Sequence, residues 1–242
     1  MKFCILTDIH NNVIALEAIL QAVHTEHFDG YLCAGDIIGI GPYPEQTVRR
    51  MMALPNLAAV QGNHDRYLTV GMPSYFPNPE GMDYTEMQHH CWEHRQLSET
   101  TAAFLKSLPL RRDLCVYGKT IAVMHYCMDK NGQYINYTPH PSPEQLAEMF
   151  SDIDADIIVY GHDHAPTILH HQEKWYINSG SLGCPGMEKN IARAAVLKIL
   201  PDGSTDVHCL AVPYDAQSVT AEISRLQYPA FEQIQRFFFG LS

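Results

Sequence analysis

Residues 2–7 (Lys-Phe-Cys-Ile-Leu-Thr) form a short run of strand length, and Val13, Leu16, Ile19, Leu20 and Val23 then recur at helical spacing. Asn12 stands immediately before that helix, where its side-chain oxygen can cap the first free amides. Residues 31–34 (Tyr-Leu-Cys-Ala) predict a second strand that ends at Gly35-Asp36. Strand, helix and strand make a βαβ unit, so the two strands are expected to be parallel and the crossover right-handed. The rhythm continues with helices over residues 45–52, 99–107 and 143–150 and strands over 57–61, 120–124 and 157–160. Three more strand-like runs, 174–178, 194–200 and 206–212, follow with turns between them, of which Pro201-Asp202-Gly203 is the clearest. The βα units of the first half and hairpin-like strands of the second predict an α/β fold with two packed sheets flanked by helices. Residues 66–98 interrupt the rhythm with aromatics, prolines and methionines and read as a cap-like excursion.

Five strand-like runs lead into metal-ligating residue types: Asp8-Ile9-His10, Gly35-Asp36, Gly62-Asn63-His64-Asp65, Met124-His125 and Gly161-His162-Asp163-His164. In α/β folds the loops leaving the C-terminal ends of adjacent strands converge, so a shared dinuclear site at those ends is expected. Asp8 and His10 are two apart and can reach one cation from the same side of an extended segment. Asp36 can bridge, because a carboxylate offsets the repulsion of two dications about 3.5–4 Å apart. Asn63 adds a neutral oxygen, and His125, His162 and His164 add imidazole nitrogens. Nitrogen and oxygen donors without thiolate favour manganese, iron, zinc, nickel or cobalt over calcium or magnesium alone. His64 is better placed to face a substrate than to bind metal, and Asp65 is expected to fix its tautomer and keep its proton, which makes His64 the candidate general acid. Asn12, Arg66 and Arg193 are the candidate substrate contacts.

Acidic residues outnumber basic ones by 27 to 16, a formal charge of −11. Long nucleic acid needs a basic surface and is therefore disfavoured as a partner, whereas a small phosphoester reaching the metals at short range fits. The hydrophobic content of 46% supports a substantial core, and the reading is a single domain over residues 1–242 ending in a helical tail over 221–242. No apolar stretch is long enough to cross a bilayer. The chain opens directly into a strand without an export signal, and several of the seven cysteines sit in apolar runs, so a reducing cytoplasm is expected.

The pattern D-x-H, G-D, G-N-H-D, H and G-H-x-H, in that order, resembles the calcineurin-like metallophosphoesterase superfamily. Residues 36–44 and 178–183 are similar to segments of its small prokaryotic phosphodiesterase branch. The resemblance implies a four-layer α/β sandwich of two mixed sheets. It also implies one metal, most commonly manganese, on Asp8, His10, Asp36 and His164, and a second on Asp36, Asn63, His125 and His162. The implied reaction is phosphoester hydrolysis, with a diester preferred, by attack of metal-bound hydroxide with His64 as acid. The alternatives are a nucleotide or dinucleoside-polyphosphate phosphatase, a nuclease, a protein serine/threonine phosphatase, or a non-catalytic metal-binding scaffold. Tyr126-Cys127-Met128-Asp129 and Cys184-Pro185-Gly186 depart from what relatives often carry after the corresponding motifs, so a relative's substrate does not transfer.

His89, His90 and His94 read as a solvated helix face, and His170-His171 as loop. The aromatics Tyr67, Tyr75, Phe76, Tyr84 and Trp92 read as packing within the cap rather than as a base-stacking platform. The tail carries Ile223, Leu226, Phe231, Ile234 and Phe237-Phe238-Phe239, a helix or two whose apolar side packs on a sheet or on another subunit, which makes a homo-oligomer an expectation.

Overall fold

The structure, a computed structural model, describes residues 1–78, 81–129, 132–135, 138, 140–184 and 188–240. Pro185 and Gly186 of the departing segment therefore lie outside the described residues, as do 79–80 of the cap and 241–242 of the tail. In chain order the elements are β1 (Lys2–Leu6), α1 (Val13–Ala22), β2 (Gly30–Cys33), α2 (Pro44–Met52), β3 (Leu57–Ala59), α3 (Asn63–Val70), α4 (Tyr84–His94), α5 (Glu99–Ser107) and β4 (Arg111–Val116). They continue with β5 (Lys119–Met124), α6 (Pro143–Met149), β6 (Ile157–Val159), β7 (Thr167–His171), β8 (Lys174–Asn178), β9 (Ile191–Ile199), β10 (Thr205–Pro213), α7 (Ala216–Leu226) and α8 (Phe231–Phe239).

Two five-stranded mixed sheets result, ordered β10-β9-β1-β2-β3 and β4-β5-β6-β8-β7. Strand alternation explains how they stack. Phe3 and Ile5 of β1, with Leu32, Ala195 and Leu197, face a central core shared with Ile121, Val123, Ile157, Val159 and Ile177 of the second sheet. The intervening residues Cys4 and Leu6 face α1, α2, α5, α7 and α8 on one outer side. Ala122, Met124 and Ile158 face α6 on the other. The order helix, sheet, sheet, helix is the four-layer sandwich, held by three apolar cores rather than one.

The N-terminal βαβ unit forms as expected, with β1 and β2 parallel, and Asn12 caps α1 by accepting the amide of Ala15 at 3.0 Å. The two halves of the chain do not map onto the two sheets, however. The hairpin of β9 and β10 returns to the first sheet and pairs β9 antiparallel with β1. Two strands were not expected. β4 and β7 are edge strands whose residues are largely half-buried or exposed, so their polar sequences lack a strand's apolar signature, and His170-His171 belongs to β7 rather than to a loop. Among the described residues no helix is long and apolar enough to cross a membrane.

Candidate metal centre

Every sequence-selected ligand sits just past the C-terminal end of a strand or at the start of the helix that follows. Asp8 and His10 follow β1, Asp36 follows β2, Asn63 opens α3 after β3, His125 follows β5, and His162 and His164 follow β6. Backbone hydrogen bonds tie these loops together: the Asp8 amide donates to Gly35 O at 3.1 Å, His10 N to Asp36 O at 3.0 Å, Gly161 N to His125 O at 2.8 Å and Ser181 N to His164 O at 3.1 Å. Asp8, His10, Asp36, His162 and His164 all have positive φ, between 47° and 76°. A left-handed conformation at a residue with a side chain costs on the order of 1–3 kcal/mol, and such strain concentrates where geometry is over-determined by function. Gly62 has no room for a side chain, since a Cβ there would lie 2.1 Å from Asp36 Oδ1.

The side chains converge in two groups. In the first, His10 Nε2 lies 3.0 Å from His164 Nε2, 3.9 Å from Asp8 Oδ1 and 3.8 Å from Asp36 Oδ2, while His164 Nε2 is 3.5 Å from Asp8 Oδ1. In the second, His125 Nε2 lies 2.9 Å from Asn63 Oδ1, 3.3 Å from Asp36 Oδ2 and 3.3 Å from His162 Nδ1, with His162 Nδ1 3.1 Å from Asn63 Oδ1. One atom, Asp36 Oδ2, belongs to both groups. The other oxygen, Oδ1, accepts the backbone amide of His64 at 2.9 Å, which aims Oδ2 between the two sets. His125 Nδ1 donates to Ala34 O at 2.8 Å, so Nε2 faces inward.

Nearly all of this is buried, and charge there is governed by partners. Burial holds His10 and His164 below the ordinary imidazole range, and burial together with the neighbouring His125 takes His162 down to about 3. These three are neutral lone-pair donors at neutral pH, the form a metal requires. Burial opposes the charge on His125 as well, but the Asp36 carboxylate outweighs it and raises His125 to about 9. Asp36 in turn stays ionised, burial being overcome by His125 and His64.

The family model of the calcineurin-like phosphoesterase superfamily domain matches residues 1–200. The chain belongs to this superfamily. An uncharacterized protein from Methanocaldococcus jannaschii is 26% identical over 254 aligned positions, covering 98% of this chain and 97% of its own. Among solved structures, a metallophosphoesterase from Sphaerobacter thermophilus superposes with a TM-score of 0.74 at 24% identity, covering 100% of this chain and 99% of that one. A hypothetical protein from Pyrococcus horikoshii does so with a TM-score of 0.83 at 17% identity and the same coverage. Metallophosphoesterases of this superfamily depend on two metals, and the two nitrogen-and-oxygen groups sharing one carboxylate atom have the chemistry to hold such a pair.

Several expected roles need correction. Asp65 makes no hydrogen bond to the His64 ring. It is fully buried and its carboxylate accepts the amides of Ile37 at 3.0 Å, Ile38 at 3.0 Å and Gly62 at 2.9 Å. Burial and the nearby Asp36 push it up to about 7 against those donors. Asp65 thus shapes the loops that carry Asp36 and Asn63. Asp65→Ala is expected to lower unfolding free energy by about 3 kcal/mol or more, since three buried amides lose their acceptor at roughly 1–3 kcal/mol each; chemical denaturation checks this. Asn12 is likewise buried and fully used, by its helix cap and by donation to Gly183 O at 2.9 Å, so it does not reach a substrate. Arg193 pairs with Glu188 and lines neither cavity that opens from the donor groups. Arg66 does line one of them, beside Asn63, while donating to Gly132 O at 2.7 Å.

The largest surprise is α4. Rather than a solvated face, His89, His90 and Glu93 are buried. Glu93 accepts Asn11 Nδ2 at 2.7 Å, Gly39 N at 2.8 Å and His90 Nδ1 at 2.6 Å, and His89 Nε2 accepts Ile40 N at 2.9 Å. The helix is latched onto the loops that carry His10 and Asp36, and the His90 ring lies 5.0 Å from that of His64. The available signal was Glu93 itself, three residues after one histidine and four after another, which puts an acid on their helical face. The tail is latched to the same loop: Trp92 stacks on Tyr228 at 4.3 Å and Tyr228 Oη donates to Ile40 O at 2.7 Å. Cys184, which lies against His10 and His164, is held as a thiol by burial.

Burial opposes ionisation of both His90 and Glu93, yet each is held charged by the other, His90 at about 9 with help from Glu86 and Glu93 well below the usual carboxylate range. His64, Tyr67, His89 and His94 complete its surroundings. The raised His90 contributes stability that is complete below its unfolded value of 6.5 and lost as pH rises through about 9. The depressed Glu93 contributes above its unfolded value of 4.5 and loses this as pH falls. The stability difference between the native chain and Glu93→Gln is therefore expected to peak between those two unfolded values and shrink on both sides, which denaturation series across pH will show.

Proposed function

We propose that the chain is a dinuclear metal-dependent phosphoesterase that hydrolyses small phosphodiesters. The observation that carries this reading is the sharing of Asp36 Oδ2 between two donor groups, with the His64 Nε2 atom 4.0 Å from that oxygen. Two divalent ions held there supply a water of lowered pKa and Lewis acidity toward the phosphate oxygens. The chain's own contribution is positional. Asp8 is fixed by the Thr7 hydroxyl at 2.7 Å and by the His162 amide at 3.1 Å, and His64 stands at the helix N-terminus, partly exposed, where its ring can pass a proton to a departing oxygen. Manganese suits this donor set, with iron, zinc, nickel and cobalt as alternatives.

Preference for a diester is supported by the two openings. A cavity of about 330 Å³ opens from His64 and His164, and a second of about 420 Å³ opens from Asn63 with Arg66 on its wall. A diester carries two ester groups to place, a monoester one. Manganese-loaded protein is expected to hydrolyse an aryl methyl phosphodiester with kcat/KM at least about tenfold above that for the aryl phosphate monoester, about 1.4 kcal/mol in the barrier. A preference for the monoester would contradict the diester assignment.

A further inference from the structure

We infer that the cavity between α4 and α8 receives the leaving group of the ester, and that this leaving group is an alcohol with an apolar body and no negative charge, amino alcohols included. The inference rests on the phosphoesterase reading above. A general acid protonates the oxygen that departs, so the leaving group lies on the side from which His64 is reached. His64 lines this cavity together with His164 and is absent from the lining of the cavity beside Arg66. In the step itself the P–O bond to the alcohol breaks, the alcohol oxygen keeps the electron pair and takes the His64 proton. The incoming water oxygen forms the new P–O bond, and the proton it releases restores His64 through solvent.

The walls select the alcohol. Ile40, Ala230, Ile234, Phe237 and Phe238 give an apolar surface. Phe238 lies 6.5 Å from His164, ring to ring, and Phe237 is 69% exposed. The charged residues on the lining are Asp83 and Glu86, with no lysine or arginine among the described ones. Glu86 is close to the chemistry, since one ligand atom each of Glu86, His64 and His90 lie within 4.8 Å of one another. His90 Nε2 is buried there, 3.8 Å from Glu86 Oε1. Besides His64, the imidazoles on the lining are His89, pushed down to about 4 by burial, and His164, which burial also holds below the ordinary range. A leaving group bearing phosphate or carboxylate meets two like charges in a partly enclosed space, whereas a hydroxyl or ammonium group on an apolar frame meets acceptors and aromatic rings.

The test uses manganese-loaded full-length protein and three methyl aryl phosphodiesters whose phenol carries a hydroxymethyl, trimethylammoniomethyl or sulfomethyl group in the para position. The neutral and cationic esters are expected to exceed the anionic one in kcat/KM by tenfold or more. The double variant Asp83→Asn, Glu86→Gln is expected to narrow that ratio to threefold or less. Comparing ratios between proteins cancels differences in phenol acidity, and asparagine caps α4 as aspartate does through its bond to Glu86 N at 2.8 Å. Should the double variant fail to fold, Glu86→Gln alone, which leaves the cap intact, is expected to narrow the ratio at least twofold. Equal turnover of the three esters, an advantage for the anionic one, or a ratio unmoved by the substitutions overturns the inference while leaving the phosphoesterase reading intact. No turnover of any of the three by protein with two bound metals overturns both.

Discussion

Asp36→Ala is expected to deprive the protein of both metals and of all measurable turnover. The side chain has two oxygens with separate duties: Oδ1 accepts the His64 amide at 2.9 Å, and Oδ2 lies 3.8 Å from His10 Nε2 and 3.3 Å from His125 Nε2, in both donor groups at once. Deleting it removes a ligand from each group, the charge that offsets repulsion between two dications, and the anion that holds His125 at about 9. Asp36→Asn separates these duties. It keeps the shape and the amide contact but not the charge, so folding is expected to survive while metal affinity falls. Elemental analysis after dialysis, with diester hydrolysis on the same samples, reads both variants; Asp36→Ala protein that retains two metals and full activity would contradict the bridging role.

His64→Ala is expected to lower kcat by about 10²–10⁴ with metal content unchanged, the range for removing a positioned general acid. The metal sets need not suffer, because the contact His64 makes with Asp36 Oδ1 comes from its backbone amide, which alanine keeps. An acid matters most when the departing alkoxide is basic. The loss is therefore expected to be small for a 4-nitrophenyl ester and large for an alkyl ester, and a steeper dependence on leaving-group acidity in the variant is the diagnostic. Concurrent loss of metal, or an equal loss for all leaving groups, would give His64 a structural role instead.

Much of this architecture is legible in the sequence because β1, β2, β5 and β6 are buried on both faces and each ends at a polar motif. Continuous apolar runs and their terminating aspartates and histidines carry position and chemistry together, and the two donor groups assemble from loops that the strand pattern already brings to one edge. The edge strands β4 and β7 were hidden because one-sided burial leaves polar sequences. Return of the β9–β10 hairpin to the first sheet is a long-range pairing with no local signal. The roles of Asp65 and Glu93, and the second role of Asn12 beyond its expected cap, were misread or missed for one reason: a buried polar residue is identified by the backbone groups it meets, and those come from loops distant in sequence, Ile37 and Ile38 for Asp65, Gly183 for Asn12, and Gly39 for Glu93. The histidines of α4 show the same effect, since helical spacing alone does not say which face is covered.

The most direct test of the dinuclear reading is to strip the protein of metal and titrate it with manganese while following bound metal per chain and hydrolysis of a phosphodiester together. The account predicts no turnover without metal, activity that rises as the second ion binds, and saturation at two ions per chain. Full activity at one ion, turnover in the stripped protein, or two bound ions without hydrolysis of any phosphoester would contradict it.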